Sequence, residues 1–467
     1  MDSSTIAAIA TAPGVGAIGV VRISGDDAAA IAGRVFRRGP TGRAIDLRQV
    51  PSHRLLYGRV IDPTSGAAID DVLLGWMAAP RTYTSEDTVE LSCHGGPVPL
   101  QETLRVVLAA GARHAEPGEF TLRAFLNGRL DLTQAEAVLN VVGARTPGAL
   151  RLAVADLAGH LTERLRPARD ALVSLLAYVD AAADFPDDEI PTEDVDVGLA
   201  AAEAALASTV AGARAGMRYR EGAQVALVGR PNVGKSSLLN ALLRTDRAIV
   251  TPIAGTTRDV VAEAVDLRGI PATLLDTAGI AETADEVERL GVERSRRALA
   301  AAGAAVLVLD GSASPTEDDL AVARTLAERD PDALGPLPVV VAINKRDLPI
   351  RAPQDAVLAL LPRCPVVEIS SLTGAGIDEL EEALAAVLAG DTPNLAHPAL
   401  ITARQHAALD RSLAHIRDAQ AARRADFPLD LLAIDIRAAL HSLGEVTGEA
   451  VDEAVLAEIF ARFCIGK

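Results

Sequence analysis

The stretch GRPNVGKS, Gly229 to Ser236, constrains the fold of this chain more than any other part of its sequence. It fits the pattern G-x-x-x-x-G-K-[ST], follows the apolar run QVALV and is continued by the helical run SLLNALL. A glycine-rich turn between a strand and a helix directs backbone N–H groups and the helix N-terminus at phosphate groups. The sequence therefore predicts a phosphate-binding loop in which Lys235 bridges terminal phosphates and Ser236 offers its hydroxyl to Mg²⁺.

Further motifs occur in the order expected of a GTP-binding domain. GTTRD, Gly255 to Asp259, lies where a switch loop would supply Thr257 to the metal. DTAG, Asp276 to Gly279, ends the apolar run ATLL and places a carboxylate near the metal. NKRD, Asn344 to Asp347, ends VVVAI, and its aspartate can accept the two N–H donors that guanine has and adenine lacks. ISS at 369–371 comes one strand later, within reach of the base, so the set predicts a GTP site.

One position departs from the pattern of Ras-like proteins. Those proteins orient the attacking water with a glutamine directly after D-x-x-G, whereas this chain has Ile280 there. An aliphatic side chain cannot orient water. Two alternatives follow: either the chain is a slow switch with idle hydrolysis, or another group and another charge replace the glutamine.

Apolar periodicity divides the chain into three domains, one of which is split. Residues 1–120 read as mixed α/β and residues 121–220 as helical. Short apolar runs then alternate with helical stretches through 221–385, the pattern of a parallel sheet built from βαβ units. Residues 386–467 are helical again. We therefore predict an α/β domain inserted into a helical domain, after a separate N-terminal α/β domain.

Composition limits the possible environments and partners. No apolar stretch approaches the roughly 18 to 20 residues that a membrane helix requires, so we expect no membrane span. Three cysteines are too few for a disulfide framework, and the start of the chain carries an acidic residue where a signal peptide is basic, which favours the cytoplasm. A net charge of −18 argues against a general nucleic-acid coat, so any RNA-binding surface must be local or supplied by a partner.

Lysine is rare in this chain: of 45 basic residues only Lys235, Lys345 and Lys467 are lysines. Two of them occupy the phosphate and guanine motifs, so we predict that Lys467 also marks a site that needs a compact ammonium. Cys464 lies three residues before it. A prenyl group would require a different last residue, and metal binding lacks companion ligands, which leaves packing or a reactive thiol whose thiolate a nearby cation favours.

Longer strings resemble one family. GRPNVGKSSLLNALL, IAGTTRD, TADEVERLGVERS, PGEFTLRAFLNGRLDLTQAEA, DFPDDEIP, VTGE and FCIGK together are similar to the MnmE (TrmE) family of tRNA modification GTPases, and the match runs from IATAPG to the last residue. The resemblance implies an α/β plus α fold. A P-loop, Ras-like G domain is inserted into a helical domain, and an N-terminal α/β domain binds a tetrahydrofolate derivative and forms a homodimer.

The resemblance also implies an activity. Members work with MnmG (GidA), an FAD- and NADH-using partner, to build an aminomethyl or carboxymethylaminomethyl group at C5 of the wobble uridine of certain tRNAs. Their G domains hydrolyse GTP when a potassium ion brings them together, which would answer the question that Ile280 raises.

Site residues are carried over position by position. The implied potassium ligands are Asn232, Thr251, Ile253 and Thr256, and the implied Mg²⁺ ligands are Ser236 and Thr257. Catalytic roles fall on Glu288 and Cys464. The implied folate residues are Arg22, Glu90, Arg129 and Lys467. The residues expected to contact GTP are Asn232, Val233, Gly234, Lys235, Ser236, Ser237, Thr251, Pro252, Ile253, Ala254, Gly255, Thr256, Thr257, Asp276, Thr277, Ala278, Gly279, Asn344, Lys345, Asp347, Ser370, Ser371 and Leu372.

This chain departs from the family pattern at three positions: Val15 replaces an arginine, Arg129 replaces a lysine, and Pro252 removes one N–H from the potassium loop. We expect the loop to survive, since its ligands there are carbonyls. Two other functions share the G motifs, a regulatory GTPase acting on ribosome assembly and a scaffolding dimer. The regulatory GTPase would not need a folate-like domain or a terminal cysteine.

Overall fold

The structure of the protein is a computed structural model that describes residues 4–39, 42–184, 194–244, 262–276, 299, 302–328, 337–349, 354–390 and 399–467. The chain forms two compact units. We call Met1–Leu139 with Gly444–Lys467 the N-terminal unit and Asn140–Leu443 the central unit.

A mostly antiparallel sheet forms the framework of the N-terminal unit. Its strands are β1 (Ile6–Ile9), β2 (Ile18–Ser24), β3 (Phe36–Arg38), β4 (Arg54–Ile61), β5 (Ala68–Met77), β6 (Thr88–His94) and β7 (Arg113–His114). Their spatial order is β3-β4-β5-β6-β2-β1-β7, and only β1 and β7 pair in parallel. Alternation in β4 buries Leu56 and Val60 and exposes Leu55 and Tyr57, as expected of a sheet covered on one face.

Helices cover that buried face and continue the unit. They are α1 (Ala28–Val35), α2 (Pro97–Ala109), α3 (Glu119–Leu126) and α4 (Leu132–Gly143), with a 3-10 turn at Leu47–Gln49. Proline occupies the first position of α2, where its missing N–H costs nothing. The core between sheet and helices contains Phe36, Ile23, Leu74, Leu91 and Val107.

The central unit contains a second sheet among helices. Before the sheet come α5 (Pro147–Leu157), α6 (His160–Asp184) and α7 (Val195–Glu221). The strands are β8 (Ala223–Val228), β9 (Ala262–Leu267), β10 (Ile270–Asp276), β11 (Ala304–Asp310), β12 (Val339–Asn344) and β13 (Val366–Glu368), in the order β13-β12-β11-β8-β10-β9. Only β9 runs antiparallel to its neighbour.

Helices α8 (Lys235–Arg244), α9 (Glu317–Ala327), α10 (Asp355–Leu358) and α11 (Ile377–Ala389) alternate with these strands. Strands β8, β11 and β12 are buried on both faces, as parallel strands between helices are. The sheet is followed by α12 (Ala403–Arg424) and α13 (Leu429–Thr447), and α14 (Glu453–Ala461) returns to the N-terminal unit. The predicted fold class is confirmed: an α/β domain with a phosphate loop interrupts a helical segment. The domain boundaries at residues 120, 220 and 385 stay predictions.

Helix α7 bears on the expectation that the chain has no membrane span. By length and composition it is apolar enough to cross a membrane. Its apolar character comes mainly from alanine, and Leu199, Ala202 and Leu206 are buried in the central unit. The core helix of a soluble protein passes the same test, so this helix is weak support for a membrane span.

Candidate functional site: a nucleotide edge and an arginine cluster

The nucleotide motifs meet at one edge of the second sheet. Strands β8, β10, β11 and β12 are parallel neighbours, so their carboxyl ends lie side by side. The phosphate loop leaves β8, and Asp276, Asp310 and Asn344 end the other three strands. The backbone of Asp276 is in register with Leu227 of β8, beside the start of that loop. Ligands of open α/β sheets bind at this edge.

The phosphate loop has the backbone that its sequence predicts. Asn232 and Gly234 both have positive φ, 65° and 101° respectively, between β8 and α8. A Cβ on Gly234 would lie 2.3 Å from Nδ2 of Asn344, so only glycine fits there. Val233 is fully buried and fixes the loop to the core. Lys235 begins α8 and donates from Nζ to the carbonyls of Gly229 at 2.6 Å and Arg230 at 2.8 Å.

Asn344 connects the phosphate loop to the loop after β13. Its Nδ2 donates to the carbonyl of Val233 at 2.8 Å, and its Oδ1 accepts from the backbone N–H and the hydroxyl of Ser371, both at 3.0 Å. The side chain is buried, so these bonds are shielded from water. Asn344 thus positions the two loops relative to each other, a role beyond the base contact that its motif predicts.

Lys345 has a left-handed backbone conformation and forms an ion pair. It has φ 68°, and its Nζ lies 2.6 Å from Oδ2 of Asp310 at the end of β11. Burial raises the pKa of the Asp310 carboxyl, but hydrogen bonds from Lys345 and Ser312 outweigh burial and bring that pKa below its ordinary value. Arg230 of the phosphate loop lies 3.7 Å from the same oxygen. Asp310 therefore joins the phosphate loop to the guanine motif.

The predicted guanine acceptor is held in place by a neighbour. Ser370, which is buried, donates its hydroxyl to Oδ1 of Asp347 at 2.6 Å. Asp347 is exposed at the sheet edge, and so is Leu372. The carboxylate is oriented and retains acceptor capacity, as recognition of two guanine N–H groups requires.

Several predicted residues lie outside the described residues. They are Glu288, Thr251, Pro252, Ile253, Ala254, Gly255, Thr256, Thr257, Thr277, Ala278 and Gly279. Ser236 and Ser237 lie in the first turn of α8, where the predictions place a metal ligand and a phosphate contact.

A second group of predicted residues meets in the N-terminal unit. Arg22 of β2 and Glu90 of β6 are direct cross-strand partners. Nε and Nη2 of Arg22 each lie 2.8 Å from Oε1 of Glu90. Within the described residues Oε2 of Glu90 accepts no hydrogen bond. The guanidinium carbon of Arg22 lies 5.7 Å from the ring centroid of Tyr83 and 5.6 Å from that of Phe120.

Arg129 and the end of the chain join this group, which we call the Arg22 cluster: Arg22, Tyr83, Glu90, Phe120 and Arg129. The guanidinium of Arg129 lies 5.7 Å from the ring centroid of Tyr83. Nη1 of Arg22 makes a long contact of 3.5 Å to the carbonyl of Gly466. A Cβ on Gly466 would lie 2.4 Å from the carbonyl oxygen of Ile9, so glycine lets the tail pack on β1. Lys467 directly follows and is half-buried.

A buried charge network supports the loop that carries Tyr83. Arg123 is buried and donates to both carboxylate oxygens of Glu86, at 3.1 and 3.2 Å, and to Glu119 at 3.0 Å. Burial raises the pKa of Glu119, but hydrogen bonds from Arg113 and the backbone of Glu116, with Arg123, hold it below its ordinary value. Asn127 donates to the carbonyl of Thr84, next to Tyr83. The loop that follows Tyr83 is therefore fixed at Thr84 and Glu86, and the Tyr83 hydroxyl lies 2.9 Å from that of Thr121.

The three cysteines differ in exposure. Burial raises the pKa of the Cys93 thiol to about 11, and Cys93 is enclosed in the core. Cys364 is half-buried in the central unit, and burial raises its pKa as well. Cys464 is exposed and follows Phe463, a buried residue that stacks on Phe460. Among the three thiols, solvent reaches that of Cys464 most freely.

Sequence reasoning missed the connecting residues. Asp310 and Tyr83 belong to no motif, and Phe120, within PGEFTLRAFLNGRLDLTQAEA, was assigned no role, yet each contacts a predicted site residue. A signal existed for Asp310, which ends an apolar run as Asp276 does. For Tyr83 the signal was weak: the chain has only four tyrosines, and one lies in the polar loop before β6.

Comparisons with known proteins find relatives that match this chain along its whole length. A model of the MnmE helical domain matches residues 132–464, and a model of the GTP-binding protein TrmE N-terminus matches residues 5–129. The tRNA modification GTPase MnmE of Chloroflexus aurantiacus is 49% identical, with 100% of each chain covered. The chain belongs to the MnmE family. The same-named protein of Roseiflexus castenholzii is 48% identical, again over 100% of both chains.

The two family models together span residues of both sites. The TrmE model includes Arg22, Glu90 and Arg129, and the MnmE helical model includes the nucleotide edge and Cys464. A solved structure of the G domain of the T. maritima FeoB iron transporter is 27% identical, covering 35% of this chain and 96% of that chain with a TM-score of 0.26.

Proposed function

We propose that this chain is a potassium-stimulated GTP hydrolase that modifies the wobble uridine of certain tRNAs at C5, using a tetrahydrofolate one-carbon donor and an FAD-containing MnmG partner. One observation carries the proposal. The chain has a phosphate loop and a guanine motif joined by Asn344, within a sequence 48% identical from end to end to a protein named tRNA modification GTPase. We place the protein in the cytoplasm.

The residues of the sheet edge fit GTP. The left-handed backbone of the phosphate loop supports N–H donors for phosphate, Lys235 lies within the loop, and Asp347 is oriented for guanine. Mg²⁺ prefers oxygen ligands, and the hydroxyl of Ser236 lies on this edge, where β10 ends at Asp276. When bound, the metal would neutralise phosphate charge, with Thr257 completing its shell.

Hydrolysis needs two groups that a Ras-like protein would supply differently. Ile280 cannot orient water, so we assign this role to Glu288 in DEVERLG. We assign potassium to the side chain of Asn232 with the backbone of Thr251, Ile253 and Thr256. The positive φ of Asn232 places an amide-bearing residue at the turn of the phosphate loop, which supports this assignment. A bound potassium ion would supply the positive charge that an arginine finger supplies elsewhere.

The Arg22 cluster fits a folate. Glu90 keeps Oε2 available to accept from a pterin amine, Arg22 and Arg129 offer guanidinium groups for carboxylates, and Tyr83 adds an aromatic surface. A bound tetrahydrofolate derivative would supply the one-carbon unit. We propose that Lys467 pairs with a carboxylate and that the exposed thiol of Cys464 acts beside the folate. The N-terminal unit would form a homodimer.

A complementation experiment tests the proposal. In a strain lacking this protein, the intact chain should restore the modified wobble uridine, measured by mass spectrometry of tRNA. The Asp347→Asn and Cys464→Ser variants should not restore it. Cys364→Ser provides the matched control, since it removes a half-buried thiol that belongs to neither predicted site.

The result also separates this function from the others that share the G motifs. Normal wobble uridines in the deletion strain, together with failure of the purified chain to retain 5-formyltetrahydrofolate, would favour a regulatory GTPase instead. Equal GTP hydrolysis in potassium and in sodium would remove the potassium assignment to Asn232. Retained hydrolysis in Glu288→Ala would move the catalytic role to a neighbouring glutamate.

A further inference from the structure

One segment of this acidic chain is strongly basic. Residues 34–54 contain six arginines and one aspartate, a net charge of +5, whereas the whole chain carries −18. The arginines are Arg34, Arg37, Arg38, Arg43, Arg48 and Arg54. Asp46 is used locally, since its carboxylate accepts from the backbone of Arg48 and from the amide of Gln49. The segment therefore provides a local basic surface, although the chain as a whole is acidic.

Three of these arginines share one face at the edge of the first sheet. Strand β3 is the outermost strand, and Arg38 is paired with Gly58 of β4. Gly58 and Arg54 are four residues apart on β4, so their side-chain positions are on the same face. Arg38 and Arg43 form an isolated antiparallel bridge and exchange backbone hydrogen bonds of 2.8 and 3.2 Å. We call Arg38, Arg43 and Arg54 the arginine edge.

The charges of the arginine edge are not neutralised within the described residues. All three side chains are exposed, and none has a carboxylate within salt-bridge distance. Arg34 and Arg48 extend the basic surface, and each donates only to a backbone carbonyl, of Ala110 and Asp26 respectively. By contrast Arg59, on the opposite face of β4, pairs with Asp71 at 2.7 Å.

The bridge between Arg38 and Arg43 is unfavourable without an anion. Like charges directly opposite each other on paired strands destabilise a sheet. Charged residues on an edge strand can prevent strand-to-strand aggregation, but isolated charges suffice for that and an opposed pair is unnecessary. An extended polyanion would relieve the repulsion. Along β4 the arginine edge spans about 13 Å, long enough to meet several backbone phosphates.

We propose that the arginine edge binds the sugar-phosphate backbone of the tRNA substrate. The proposal rests on the proposed function for the identity of the RNA. Guanidinium groups bind phosphates in a bidentate manner, and contacts of this kind position a nucleic acid without reading its sequence. The arginine edge would therefore orient tRNA on the N-terminal unit, while recognition of the wobble base occurs elsewhere.

Binding of fluorescently labelled tRNA to the full chain tests the inference by anisotropy over a potassium chloride series. A triple variant, Arg38→Gln with Arg43→Gln and Arg54→Gln, should bind about tenfold or more weakly at low salt. The slope of log affinity against log salt should become shallower by about three, about one for each arginine removed. Because these side chains are exposed, GTP hydrolysis should match that of the intact chain, and the unfolding temperature should stay the same or rise slightly, since the repulsion between Arg38 and Arg43 is removed.

A matched control removes the same charge elsewhere. Arg145→Gln with Arg363→Gln and Arg424→Gln changes three exposed arginines of the central unit and should leave the salt slope unchanged. Equal tRNA binding by the edge variant and the intact chain would overturn the inference while leaving the proposed function intact. So would an edge variant that loses binding only to phosphatidylserine vesicles, which would assign the surface to a membrane. Absence of the wobble modification defect in the deletion strain would instead contradict the proposed function.

Discussion

The nucleotide edge and the Arg22 cluster are built in opposite ways. The nucleotide edge takes its groups from short contiguous motifs, each at the end of a parallel strand, and fixes them through left-handed backbone at Asn232, Gly234 and Lys345. The Arg22 cluster takes single side chains from positions as far apart as Arg22 and Arg129, and holds them by strand register and ring contacts.

The difference predicts how each site responds to mutation. A backbone site has almost no tolerance at its glycine, because a Cβ meets another buried group. A side-chain cluster loses its contacts one at a time. A single substitution at the nucleotide edge should therefore disrupt GTP binding by the entire site. Substitutions in the Arg22 cluster should each reduce folate affinity by a different, partial amount.

Gly234→Ala should have the largest effect. The new Cβ would lie 2.3 Å from Nδ2 of Asn344, and moving this buried amide breaks its bonds to Val233 and Ser371. Backbone strain and lost hydrogen bonds together cost about 3 kcal/mol, so GTP affinity should fall about a hundredfold or more. Titration with a fluorescent GTP analogue measures this change in GTP affinity.

Gly390→Ala is the control for this substitution. Gly390 also has positive φ, 79°, but no atom lies within 4 Å of its added Cβ. It should leave GTP affinity unchanged. Equal losses in the two variants would mean that φ alone, and not the contact with Asn344, explains the effect.

Asp156→Asn tests whether buried carboxyl groups in the central and N-terminal units also differ in how they affect stability. Burial raises the pKa of Asp156 in α5 to about 6, although its carboxylate accepts from the N–H of Leu400. A raised folded-state pKa favours the folded state fully below the unfolded value near 3.8, and this stability is lost as the pH rises through 6. Asparagine keeps an acceptor and removes the ionisation. The free energy of unfolding should therefore rise by about 3 kcal/mol at pH 8 and by about half as much at pH 5.

Glu119→Gln is the substitution in the N-terminal unit that we compare with Asp156→Asn. The pKa of Glu119 lies below its ordinary value, so its stabilising effect is present above the unfolded pKa and lost as the pH falls through the folded one. The substitution should destabilise the protein at neutral pH. A gain from Asp156→Asn that does not change with pH would contradict the assignment, and denaturant unfolding at several pH values decides it.

Arg22→Ala should weaken folate binding at an intermediate level. The variant removes a charge-assisted hydrogen bond and ion pair with the carboxylate of Glu90, worth about 2 kcal/mol, so affinity for 5-formyltetrahydrofolate should fall about thirtyfold. GTP affinity should not change. Calorimetry measures both. Arg59→Ala removes a similar cross-strand pair with Asp71 in the same sheet and should leave folate binding intact.

Arg129→Ala should have the smallest effect. Its guanidinium lies over Tyr83 but is exposed, and such a cation–π contact is worth about 1 kcal/mol or less. Folate affinity should fall about fivefold at most, and Arg129→Lys should recover most of it. A loss as large as that of Arg22→Ala would show that the exposed Arg129 binds the folate carboxylate as strongly as Arg22 does.

Local sequence could specify the groups of the nucleotide edge because they are consecutive. GRPNVGKS contains the glycines, the lysine and the helix start that its backbone needs, and NKRD contains both Asn344 and Asp347. What the motifs did not reveal was Asp310, whose partners Lys345 and Arg230 come from two different loops. Parallel strand order brings these loops together, and no single motif encodes that order.

The amino-acid sequence by itself determined the family, the fold class and the GTP motifs, since each depends on patterns within a short stretch of chain. Only the tertiary structure revealed that Arg22 and Glu90 are cross-strand partners, that Tyr83 and Phe120 flank them, and that Arg38 and Arg43 oppose each other at a sheet edge. The physical reason is register: a shift of one residue in strand pairing would separate these side chains while leaving every motif unchanged.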